Sequence, residues 1–140
     1  MIHLIYVSQA TSPLDKQGLE SLLVESRNRN EQMHITGMLL YVNDSFIQVL
    51  EGEEAAVNNI YLRIQLDKRN KNNCLLLREP IAMRSFPHWS MGFKLLKPED
   101  YPYLDGYSDF INYKMEGSEL VDADLAVKLL YQFKEANLTT

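Results

Sequence analysis

The stretch that decides the fold is "HITGMLLYVNDSFIQVLEGE", residues 34–53. Two apolar runs flank Asn43 and Asp44, residue types that tolerate positive φ, so the stretch reads as a β-hairpin closed by Gly52. Period-two alternation puts Phe46, Gln48 and Leu50 of the second arm on one face. A neutral amide therefore sits in the middle of a core strand. It carries two donors and an acceptor, and leaving them unpaired costs roughly 1–3 kcal/mol each. Something polar must meet Gln48.

Before the hairpin, "IHLIYVS" (residues 2–8) alternates as a first strand, with Ile2, Leu4, Tyr6 and Ser8 on one face and His3, Ile5 and Val7 on the other. "TSPLDKQGLESLLVESRNRN" follows as a helix, with Ser12 as its N-cap and Pro13 in its first turn. Leu19, Leu22, Leu23 and Ser26 make its buried stripe, and it ends near Asn28 to Asn30. After the hairpin, "EEAAVNNIYLRIQLDKR" places Val57, Ile60, Tyr61 and Ile64 at helical spacing, acidic at its start and basic at its end. "RNKNN" reads as a polar loop and "CLLLRE" as a buried fourth strand. "HWSMGFKLL" alternates Trp89, Met91, Phe93 and Leu95 as a fifth. The order βαββαβ plus one strand predicts an α+β ferredoxin-like sandwich: a five-stranded mixed sheet with two helices on one face. Residues 1–97 form this domain. Residues 98–140 are expected as a Pro/Gly/Tyr-rich loop and a helical cap, with Leu125, Leu129, Leu130 and Phe133 as an apolar stripe seeking the outer sheet face.

A chain of 140 residues, 46% hydrophobic and 24% charged, suits one compact domain. Its net charge of −5, with no basic run longer than Lys68-Arg69, argues against a nucleic-acid or anionic-membrane partner. Cys74 is the only cysteine, and His3, His34 and His88 stand too far apart for metal-ligand spacing. The alternating N-terminus has no basic leader, and no apolar run nears the roughly 20 residues of a spanning helix. A cytoplasmic protein is expected.

The first strand and the second hairpin arm are neighbours in a ferredoxin-like sheet, so Tyr6 and Gln48 meet beneath the two helices. Arg29 and Asn30 close the first helix, while Arg63, Ile64, Asp67 and Arg69 lie along and just beyond the second. Together they can ring a flat, hydrogen-bonding ligand. Taken singly, each has an ordinary reading. Tyr6, Trp89 and Met91 are common core residues, Gln48 suits a paired edge amide, and Arg63 with Asp67 is a surface i, i+4 pair worth a few tenths of a kcal/mol.

The joint pattern is more specific. "LIYVSQ" with Tyr6 and Ser8, Asn30 five residues before "ITGMLLY", "FIQVLEGE" with Gln48, "RIQLDKR" with Arg63, Asp67 and Arg69, and "WSM" with Trp89 and Met91 resemble the BLUF domain, a blue-light sensor that uses FAD. The resemblance covers about residues 1–97 and implies a photoreceptor, not an enzyme. It implies non-covalent FAD held by Tyr6, Arg29, Asn30, Gln48, Arg63, Ile64, Asp67 and Arg69, and a photoactive switch of Tyr6, Gln48, Trp89, Met91 and Ser8. It further implies output through a downstream signalling protein or a homo-oligomer. Asn70 stands where the family commonly has histidine. The alternative is a small flavin-dependent oxidoreductase on the same scaffold; a hydrolase is disfavoured, because "SQATSPLDK" has no glycine-rich phosphate loop before the first helix.

Overall fold

The computed structural model describes residues 1–42 and 44–96. Along the chain come β1 (Ile2–Ala10), α1 (Lys16–Gln32), β2 (Thr36–Val42), β3 (Ser45–Gly52), α2 (Glu54–Leu66), β4 (Asn70–Pro80) and β5 (Gly92–Leu96). The five strands form one sheet in the order β4-β1-β3-β2-β5. All neighbours are antiparallel except β2 and β5, which run parallel. The sheet is mixed and ferredoxin-like, as the alternation predicts.

The hairpin sets the register. Thr36 pairs with Glu51 at its open end and Val42 with Ser45 at the turn, where Asp44 adopts φ 59°. Gly37 makes that pairing possible, because a Cβ there would lie 1.9 Å from the Val49 carbonyl oxygen. With the register fixed, Leu4 and Tyr6 of β1, Leu39 and Tyr41 of β2, and Phe46 and Leu50 of β3 face the helices. They pack on Leu19 and Leu23 of α1 and on Val57, Ile60 and Ile64 of α2. The opposite sheet face is equally buried, through Ile5, Val7, Met38, Leu40, Val42, Ile47 and Val49. The loop and cap expected at 98–140 lie outside the described residues.

Five local expectations are corrected. Asp15, not Ser12, caps α1, its carboxylate accepting from the Gly18 N–H at 2.7 Å. The helix also runs on to Gln32. The "RNKNN" segment is not a loop: β4 starts at Asn70 and pairs with β1 through Asn70↔Ala10 and Lys71↔Gln9. Nor is β4 buried, since it is the sheet edge and Leu75 is 46% exposed. Finally, Trp89 and Met91 precede β5. Their segment is tied by its carbonyls instead: Gly37 N–H donates to Trp89, Asn30 Nδ2 to Ser90 and Arg27 Nε to Met91 at 2.8–3.0 Å.

Candidate functional site

Tyr6 and Gln48 are direct cross-strand partners on the face toward the helices. Their side chains meet, the Tyr6 hydroxyl donating to Gln48 Oε1. The other end of the amide, Nε2, donates to the Met91 sulfur at 3.2 Å. All three residues are buried, so the amide found by alternation is answered on one side by a phenol and on the other by a thioether. The second contact is weak, because thioether sulfur is a poor acceptor. The amide is thus firmly held at its oxygen and loosely at its nitrogen. Burial, and then the Tyr61 phenol whose ring lies 5.4 Å away, push the Tyr6 phenol far above its ordinary range. Tyr6 is a neutral donor at any ordinary pH.

A cleft opens from this pair between α1 and α2. Its volume is about 490 Å³, counting the space open to solvent at its mouth. Leu22, Leu39, Phe46 and Ile64 supply apolar walls, while Tyr6, Gln48 and Ser26 supply the polar inner end. Glu25, Arg29, Asp67, Arg69 and Asn70 complete the lining. Arg69 donates to both Asp67 oxygens and reaches Glu25 of α1 at 2.9 Å, bridging the helices. Those hydrogen bonds from Arg69 hold the Asp67 carboxyl below its usual range, and Asp67 in turn raises the Arg69 guanidinium. Asn70 Nδ2 caps the end of α2, donating to the Ile64 and Asp67 carbonyls at 2.8 Å.

Of the residues singled out in the sequence, Tyr6, Arg29, Gln48, Ile64, Asp67 and Arg69 come together around the cleft. Asn30 is wholly buried and Arg63 is exposed, and neither is among the lining residues. Asp67 pairs with Arg69, not with Arg63. Ser8 is buried on the same face as Tyr6 without lining the cleft. Trp89 is half-buried outside it, its ring 5.7 Å from Phe86. Leu22, Glu25, Ser26, Leu39 and Phe46 were not singled out as cleft residues. Helical spacing finds three of them, since positions 22, 25, 26 and 29 form one stripe, and cross-strand register with Gln48 finds Leu39.

Among the described residues, Asn30 Oδ1 and Arg29 Nε are buried without a hydrogen-bond partner. Burial lowers the Arg29 guanidinium, helped by the nearby Arg63 charge. One orphaned acceptor and one orphaned donor on adjacent residues, beside an apolar slot with an amide and a phenol at its end, fit the edge of a flat heterocycle that alternates carbonyls and N–H. A flavin ring has such an edge. The comparison with protein families agrees: residues 1–92 match the model for BLUF, "Sensors of blue-light using FAD".

The chain belongs to the BLUF family.

Among BLUF relatives, the photoactivated adenylate cyclase subunit beta-like protein FB of Euglena gracilis is 40% identical over 89 residues, spanning 63% of this chain but only 10% of that protein. Among solved structures, the dark state of BlrB, a BLUF protein, superposes with a TM-score of 0.73 at 25% identity, covering 94% of this chain and 96% of BlrB. A bacterial light-regulated adenylyl cyclase gives a TM-score of 0.74 at 29% identity, covering 84% of this chain and 35% of the cyclase. BLUF domains bind flavin. Among the described residues no helix is long and apolar enough to cross a membrane.

Proposed function

We propose that this chain is a blue-light photoreceptor whose switch is the Tyr6–Gln48–Met91 relay, with non-covalent FAD as its cofactor and no substrate turnover of its own. The observation that carries the proposal is the buried amide of Gln48, held by a phenol at its oxygen and by a weakly accepting sulfur at its nitrogen. When bound, flavin absorbs blue light and in that excited state accepts an electron. Tyr6 is the donor closest to the inner end of the cleft. Its phenol proton is bonded to Gln48 Oε1, so electron loss from the ring delivers the proton along an existing hydrogen bond. Return of the electron and of a proton to the Tyr6 oxygen would restore the neutral phenol, and Gln48 would keep the change as an inverted or tautomeric amide, which exchanges donor and acceptor ends at nearly constant shape. The weak Nε2 contact to Met91 makes that step cheap.

Asn30 Oδ1 and Arg29 Nε would hold the polar edge of the ring, Ile64 one of its faces, and Arg63, Asp67 and Arg69 the more exposed tail. Non-covalent attachment fits a cleft whose lining, among the described residues, contains neither a cysteine nor a histidine to bond the ring. Two relatives pair such a sensor with adenylate cyclases, which supports an output through contact with a downstream signalling protein or a second copy of this chain. A cytoplasmic setting suits an acidic chain with one free thiol. The test is direct. The protein loaded with FAD should turn yellow, release all of its colour on denaturation and filtration, and show a small reversible red shift under blue light. A chain that binds no flavin, or keeps the colour attached after denaturation, would overturn the cofactor assignment.

A further inference from the structure

On the sheet face away from the helices, β3 presents Ile47, Val49 and then Glu51, which is entirely buried. A carboxylate at a strand position otherwise filled by aliphatics is costly unless fully hydrogen-bonded. Glu51 is. Its carboxylate accepts from Thr36 Oγ1 at 3.0 Å, from the Ser85 N–H at 2.6 Å and from the Phe86 N–H at 2.9 Å. Arg84 completes the joint by donating to the Glu51 carbonyl and Thr36 Oγ1 at 2.9 Å and to the His34 carbonyl at 2.8 Å. Residues 84–86 are thereby fastened to the hairpin. Three residues later the chain is fastened again, by Gly37, Asn30 and Arg27 on the carbonyls of Trp89, Ser90 and Met91.

We propose that Glu51 is a positioning residue for the Gln48 switch: with Arg84 it fixes residues 84–91 so that the Met91 sulfur reaches the Gln48 amide while the Trp89 ring stays outside the cleft. The packing around Trp89 fits this. Its ring lies so close to Gly92 that a Cβ there would come within 2.5 Å of it, and its N–H is tied to the Phe86 carbonyl. Slack at residues 85 and 86 therefore passes directly to Trp89 and Met91. Glu51→Gln introduces slack, because an amide N–H would face the Ser85 or Phe86 N–H and at least one bond is lost.

The inference rests on the photoreceptor reading only for its effect on the photocycle, and the main readout needs no light. In the full chain as purified and kept dark, amide exchange is measured at Gly37, which donates to Trp89 but does not touch the carboxylate. Acrylamide quenching is measured for Trp89, the only tryptophan. Glu51→Gln should speed exchange at Gly37 about tenfold, as expected for local opening, and should raise Trp89 quenching clearly above wild type. Glu54→Gln, at a surface glutamate bonded to Arg78, should change neither. Under blue light, Glu51→Gln should also alter the dark-recovery rate by about fivefold, the scale of one lost hydrogen bond. Unchanged Gly37 exchange and Trp89 quenching in a folded Glu51→Gln protein would overturn the inference. If that variant does not fold, Arg84→Gln should give the same changes in smaller degree, and its silence would overturn it equally. A wild type that ignores blue light would sink the photoreceptor reading while these dark measurements still judged the anchor.

Discussion

At the inner end of the cleft Tyr6 and Gln48 are 3% exposed, the Met91 bonded to Gln48 is 1% exposed, and none of the three carries a charge. At the mouth Glu25, Asp67 and Arg69 are ions whose side chains are 60%, 26% and 39% exposed. The difference separates two jobs. In a buried, low-dielectric pocket, reversing one neutral amide changes the energy of every partner it touches, so the inner end suits a switch. At a wet, screened mouth, ion pairs are worth little individually but hold two helices together around whatever lies between them. The inner end should decide whether light is sensed, and the mouth how well the cofactor stays.

The largest test of that division is Gln48→Leu. It removes the amide that accepts from Tyr6 and leaves that hydroxyl without its Gln48 acceptor, at a stability cost of about 1–3 kcal/mol. Flavin should still bind through the mouth, and the light-induced shift should vanish; light-minus-dark absorption spectra read both. Next in size is Asp67→Asn at the mouth, which breaks the two-oxygen grip on Arg69. Cofactor affinity should fall about tenfold, the equivalent of roughly 1.4 kcal/mol. The amplitude of the shift in the loaded fraction should not change, and a fluorescence titration of flavin against the full chain measures the difference.

The two ends also answer oppositely to pH. Asp67 is held below the ordinary carboxylate value of 3.8, so its contribution is present above that value and is lost as pH falls through the lower folded one. Tyr6 is raised above the ordinary 10.0, so its contribution is present below about pH 10 and fades only as pH climbs beyond it. Shift amplitude should therefore be flat from pH 5 to 9, with cofactor loss beginning on the acid side; a titration of both quantities in one buffer series checks this. The smallest effect belongs to Glu25→Gln, whose pair with Arg69 is more exposed than that of Asp67 with Arg69. It should speed cofactor release less than about threefold, and the effect should shrink further in high salt.

Much of this division is legible in the sequence, because strict alternation fixes which side chains share a face. Tyr6 and Gln48 follow from counting by twos along β1 and β3, and the helix stripes from counting by threes and fours. What alternation misreads is pairing that composition does not announce. Asn70 to Asn73 read as a loop because they are polar, yet they are polar because β4 is an edge strand open to water. "HWSMGFKLL" reads as one strand because it alternates, yet the carbonyls of residues 89–91 are tied to Gly37 and to two side chains of α1. In "TSPLDKQG" both Ser12 and Asp15 satisfy the capping rule, and only geometry selects Asp15. Glu51 was invisible as an anchor, since two of the donors that bury it are backbone N–H groups more than thirty residues away.

If Tyr6 starts the switch, Tyr6→Phe stops it with the loss of a single hydroxyl. The light-minus-dark absorption spectrum of the flavin-loaded Tyr6→Phe protein should be flat where wild type gives a reversible red shift, with the dark spectrum still that of bound flavin. A wild-type red shift in that variant, with wild-type recovery, would contradict the account.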